Sequence, residues 1–237
     1  MGKPTRKSFR VVETAPKVGV PKGLPAHWRG CHGGGMSRLP IPPLLAITDR
    51  RQAVLPLPDL AEALFAAGLR WLSVREKDLP AAEQAALARA LVERARPWGA
   101  TVTVHGDAEL ARVAGACGVH LPDGGDPAAA RRILGRDALV GVSAHGADGL
   151  RRAVGADYAT VSPVFASASK PGYGPILGVD GLRHCVTAAA PPVLALGGVD
   201  AAGAAACMAA GAAGVAVMGT LMRDLGGLPE LLRAVAR

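Results

Sequence analysis

The stretch VLALGGVDAAGAAACMAAGAAGVAVMGT (residues 193–220) contains two short apolar runs, VLAL at 193–196 and GVAV at 214–217. Each is short enough to be a strand. Between them, residues 200–210 carry the alanine-rich, helical spacing of a segment that packs by small side chains. Glycines follow both runs, as Gly197-Gly198 and as Gly219-Thr220. A strand, a turn, a helix and a second strand make a βαβ unit, and such units build a parallel sheet.

The same alternation runs through the chain from Leu44. The expected strands are 44–48, 70–75, 101–104, 118–121, 139–143, 157–161, 193–196 and 214–217. Helical spacing is clearest at 80–95, 107–114, 127–134, 200–210 and 228–236. Eight units in a chain of 237 residues predict an α/β fold, a single (β/α)8 TIM barrel. An open doubly wound sheet would need G-x-G-x-x-G after its first strand. Here that turn reads Thr48-Asp49-Arg50-Arg51.

Half of the residues are hydrophobic, ample for one core, and no run of large apolar side chains reaches the roughly 18 residues of a membrane span. The net charge is +8, but it is concentrated in the leader: Lys3, Arg6, Lys7, Arg10, Lys17, Lys22 and Arg29 stand against Glu13 alone. Residues 1–40 therefore read as a basic, disordered extension, with the barrel at 41–237, and Met36 offers an alternative start. The barrel itself is not basic enough to argue for nucleic acid, and no membrane partner is expected. Cys31, Cys117, Cys185 and Cys207 show no CxxC spacing; Cys117 and Cys207 sit among alanines and read as buried packing thiols, and the protein is expected to be cytoplasmic and reduced.

In this fold active sites lie at the C-terminal ends of the strands, and polar residues gather there. Strand 2 ends in Arg75-Glu76-Lys77, strand 3 in His105, and strand 5 in Ser143-Ala144-His145. Strand 6 enters a loop with Ser167, Ser169, Lys170 and a Pro-Gly-Tyr-Gly-Pro run. Glycines after strands 7 and 8 (Gly197, Gly198, Gly219, with Thr220) permit the close backbone approach that a phosphate needs.

The ordered strand-end motifs AITDR (46–50), VREKD (74–78), GVHL (118–121), GVSAH (141–145), ADYATVSPVFASASKPG (156–172), LALGGV (194–199) and AGAAGVAVM (210–218) resemble the thiamine phosphate synthase/TenI superfamily over 44–237. The resemblance implies a cytosolic thiamin-biosynthesis protein that binds a thiazole phosphate and forms a homo-oligomer. It casts the loop after strand 6 as a lid whose Lys170 meets phosphate oxygens. It makes His145, Lys170 and Ser143 catalytic. Arg75, Lys77, His105, Ser167, Ser169, Gly197, Gly198, Gly219 and Thr220 become substrate- and phosphate-binding residues.

Two chemistries share that scaffold. A synthase condenses a pyrimidine pyrophosphate with the thiazole phosphate, using Mg²⁺ held by carboxylates. A TenI-type tautomerase moves a proton with a histidine and needs no cofactor. Arg75, Lys77, Ser143, Ser167 and Lys170 match the synthase pattern. The carboxylate positions do not: Gly106 and Gly125 stand there, with Asp107, Asp123 and Asp126 nearby, and Ser73 replaces the usual glutamine. With no protein-held metal expected and with His145 matching the tautomerase histidine, the sequence favours the TenI-like branch. The synthase is the alternative. A non-catalytic thiazole phosphate binder, another phosphate-binding barrel and a His105/His120/His145 metal site are further readings.

Overall fold

A computed structural model describes residues 38–167, 172 and 174–236 of the chain. The strands are β1 (Leu44–Ile47), β2 (Trp71–Val74), β3 (Thr101–His105), β4 (Gly118–Leu121), β5 (Leu139–Ala144), β6 (Tyr158–Val161), β7 (Val193–Leu196) and β8 (Gly214–Val217). They close into one parallel barrel in chain order, with β8 pairing back to β1. All eight coincide with the expected strands to within a residue or two. The expected helices appear as α2 (Ala81–Ala95), α3 (Ala108–Ala114), α4 (Pro127–Leu134), α7 (Ala201–Ala209) and α9 (Leu228–Val235). Four others had no clear spacing in the sequence: α1 (Leu57–Ala66), α5 (Ala147–Arg152), α6 (Gly178–Ala188) and the short α8 (Gly219–Arg223).

Strand alternation divides the core into two layers. Leu72, Val74, Val102, Val104, Val119, Leu121, Val140 and Val142 face outward and pack beneath the helices. Leu45, Ile47, Trp71, Leu139, Tyr158, Leu194 and Ala216 fill the barrel interior. α2 shows how the outer layer forms: its Ala, Leu, Glu and Arg residues favour helix, and it buries Ala88, Leu91, Val92 and Ala95 at helical spacing.

The lower end is sealed by Leu39, which is buried with the interior residues. Arg38 donates to the carbonyl of Arg136 and to Asp157. Barrel contacts thus begin upstream of the expected boundary at 41, and the rest of the expected extension lies outside the described residues. Among those described, no helix is long and apolar enough to cross a membrane. Cys185 and Cys207 are free and buried, whereas Cys117, expected to be a packing thiol like Cys207, is disulfide-bonded.

Candidate active site at the upper mouth of the barrel

The glycines after β7 are explained by what lies on them. Gly198 has φ +63°, and a Cβ there would stand 2.2 Å from the carbonyl oxygen of Ala166. Gly197 has φ +100°, and its Cβ would come within 2.9 Å of Pro163 Cα. The loop after β6 is stitched to this turn: Val164 N–H donates to Leu196 O and Phe165 N–H to Gly197 O, each at 2.9 Å. The two loops and the start of α8 enclose a cavity of about 230 Å³, lined by Ser162, Ser167, Gly197, Gly198, Gly219, Thr220 and Arg223 among others. Four glycine and threonine positions singled out in the sequence therefore share one cavity. Arg223 supplies a cation there. Its guanidinium donates to Gln52 Oε1 at 2.5 Å and crosses so close to Gly219 that a Cβ would meet it at 2.7 Å.

The interior below the mouth is polar and uncharged. His120 Nε2 lies 2.9 Å from Ser143 Oγ and 3.3 Å from Thr160 Oγ1, while Nδ1 lies 3.1 Å from Tyr158 Oη. His105, paired with His120 across β3 and β4, places its ring 5.1 Å away. Burial and, secondarily, the nearby Lys77 hold the His120 imidazole down to about 3. His105 is also held to about 3, by burial first, then by His120, Lys77 and Arg75. Both rings are neutral at pH 7. Ser73 Oγ and His105 Nδ1 are buried with no hydrogen-bond partner among the described residues, which is a cost unless a ligand or water meets them. His120 fills the interior, as strand parity predicts, and forms no metal site with His105 and His145. Among the described residues, no cluster of three or more His, Cys, Asp or Glu side chains could hold a metal ion.

Beyond β2 the chain places Arg75 half-buried, Glu76 buried and Lys77 exposed. Arg75 continues the inward parity of Trp71 and Ser73, and its N–H donates to Thr48 Oγ1 at 2.8 Å. Glu76 is tied to the turn after β1: both of its oxygens accept from the Arg50 N–H at 3.1 Å.

The nearby acids are committed locally. Asp107 caps α3 by accepting from Glu109 and Leu110 N–H, and Asp126 caps α4 by accepting from Ala128 N–H. Asp123 lies 3.6 Å from Arg152. The residues present therefore do not fit the carboxylate-held Mg²⁺ that the synthase resemblance implies.

His145 is not in the lining of the strand 7–8 cavity but touches it through Ser162. It is exposed, its Nδ1 lies 3.2 Å from the Ser162 carbonyl oxygen, and it lines a separate shallow groove with Asp123, Asp148 and His184. Ser169 and Lys170 lie outside the described residues.

This arrangement has close counterparts. A family described as thiamine monophosphate synthase matches residues 44–221. The chain belongs to the thiamine monophosphate synthase family. A Geobacter sulfurreducens relative is 43% identical, over 76% of this chain and 87% of its own. The thiamine-phosphate synthase of Moorella thermoacetica is 36% identical, over 81% of this chain and 93% of that one. Among solved structures, the thiamine phosphate pyrophosphorylase of Pyrococcus furiosus superposes with a TM-score of 0.70 at 26% identity, covering 81% of this chain and 94% of its own. The family resemblance and the fold are thereby established, and the relatives' names support a place in thiamine biosynthesis. The preference for the tautomerase branch is not supported, because these relatives carry the synthase name.

Sequence reasoning missed Ser162, Arg223, Tyr158 and Thr160. Three of them had a usable signal: Tyr158, Thr160 and Ser162 share the inward parity of strand 6. Arg223 follows Gly219 by four residues, one helical turn, but only the existence of α8 makes that spacing meaningful.

Proposed function

We propose that the protein is a thiamine-phosphate synthase, joining a hydroxymethylpyrimidine diphosphate to a thiazole phosphate. The observation that carries this reading is the presence of two separate places for anions around one mouth. The glycine-lined cavity with Arg223 suits a phosphate monoester, and the Arg75–Lys77 end of β2 suits a diphosphate. A tautomerase acting on a single phosphate would need only the first. Its proposed histidine, His145, lines a different groove.

In this reaction the thiazole nitrogen forms a bond to the exocyclic carbon of the pyrimidine. The carbon–oxygen bond to diphosphate breaks, and pyrophosphate leaves with the electron pair. Arg75 and Lys77 offset the charge that develops on it. The neutral His105 and His120 leave the interior uncharged, so a cationic pyrimidine is not repelled there. Ser143, held by His120, offers a hydroxyl at the rim. Ser167 lines the cavity from the loop after β6. The missing carboxylates are what favours the tautomerase as a second reading.

Incubation with both substrates tests the proposal. Stoichiometric release of pyrophosphate with thiamine phosphate is the expected outcome. Isomerisation of a thiazole carboxylate phosphate, with no pyrophosphate released, would replace this reading with the tautomerase.

A further inference from the structure

Among the described residues, the acids at the strand ends around the mouth already have local partners. Asp49 accepts from the Gln52 side chain at 2.5 Å and from the Arg51 N–H at 3.2 Å. Asp78 accepts from Arg50 at 2.5 Å, and both Glu76 oxygens accept from the Arg50 backbone. Asp107 and Asp126 cap helices, Asp200 caps α7, and Asp123 faces Arg152.

The two strand-end turns after β3 and β4 also resist gaining a carboxylate. Gly106 sits at φ +98°, a backbone that side chains rarely adopt. A Cβ at Gly125 would lie 2.7 Å from Leu121 Cβ, and Leu121 is part of the outer core. Backbone geometry thus withholds a carboxylate at both turns.

The same mouth holds Arg75 on the inward face of β2 and Lys77 two residues beyond it. We infer that this chain neutralises a bound diphosphate with the Arg75 and Lys77 side chains, without a protein-held divalent metal. A guanidinium and an ammonium can each donate to non-bridging oxygens, so their positive charge takes the place of the cation. The inference rests on the synthase reading, in which a diphosphate is one of the ligands.

Titration calorimetry with inorganic pyrophosphate tests it on the full-length protein, in EDTA and in excess Mg²⁺. Affinity in EDTA is expected to stay within about threefold of that in Mg²⁺, and to fall about tenfold or more in Lys77→Ala and in Arg75→Ala, the loss of a charge-assisted contact. Lys77 is exposed, so its variant keeps the fold. Binding that needs Mg²⁺, no binding under either condition, or unchanged affinity in both variants overturns the inference. The two ideas separate cleanly. Pyrophosphate bound in EDTA by these residues, with none released from the two substrates, removes the synthase reading and leaves metal-free binding standing. Mg²⁺-dependent binding with normal release does the reverse.

Discussion

Gly141 and Tyr158, register partners on β5 and β6, occupy one side chain's volume: a Cβ on Gly141 would lie 2.1 Å from Tyr158 Cζ. The missing side chain lets the phenol lie across the interior, edge-on to Trp71 at 4.7 Å and within 3.1 Å of His120 Nδ1. Gly141→Ala is therefore expected to destabilise the protein by about 1–3 kcal/mol through overpacking. Tyr158→Phe keeps the ring but removes the hydroxyl that meets His120 Nδ1, at a cost of about 1–3 kcal/mol. Urea denaturation measures both.

Acid should weaken the fold well before the carboxylates titrate. In the folded protein His105 and His120 are held to about 3, against 6.5 for an ordinary histidine. Between those values the unfolded chain binds protons that the folded chain does not, so stability falls as pH drops below 6.5. Each histidine contributes up to about 1.4 kcal/mol per pH unit across that window. The melting temperature should decline from pH 7 to pH 5, and more shallowly in His120→Gln. An identical slope in that variant would refute the assignment.

The Gly198 turn should be intolerant for a reason unrelated to direct ligand contact. Gly198→Ala must place a Cβ against the Ala166 carbonyl at positive φ, so the loop after β6 has to lift. Affinity for thiazole phosphate should fall by about tenfold or more, the equivalent of one lost anion contact. Gly106→Ala also sits at positive φ but faces open space, and it should leave that affinity nearly intact.

Asp157 clamps the lower end of the barrel. It accepts from Val140 N–H at 2.7 Å, from Arg131 at 2.8 Å and from Arg38 at 3.3 Å. Asp157→Ala should cost about 2–3 kcal/mol, because a buried N–H and the half-sheltered Arg131 lose their acceptor. Asp157→Asn keeps an oxygen for Val140 and should cost less. Thermal denaturation of the two variants checks the order.

Turnover by point variants separates the roles around the mouth. If condensation is the reaction, Lys77→Ala should lower pyrophosphate release about a hundredfold or more, while His145→Ala costs less than tenfold. A proton-transfer enzyme gives the opposite order, with His145→Ala losing about 10²–10⁴-fold. Steady-state rates of both reactions decide between them.

The sequence by itself determined the eight strands, their parallel order and the end of the barrel where chemistry belongs. Short apolar runs, glycines and helical spacing are local signals, and a closed parallel barrel leaves little freedom once they are set. It also located the Gly197-Gly198 and Gly219-Thr220 cavity, because left-handed or crowded backbone leaves a glycine in the sequence. Only the tertiary structure decided which side chains meet. Strand parity puts His120 and Tyr158 inside, but their contact depends on Gly141 making room across a strand pair. Asp107 and Asp126 stand in the sequence one residue beyond the carboxylate positions, and each caps the first turn of its own helix, whose N–H groups lack other acceptors. His145 matches a catalytic position in the sequence, and the fold leaves it exposed against the Ser162 carbonyl at the edge of the cavity. Which groups share a cavity depends on distances across the barrel, and sequence spacing does not encode them.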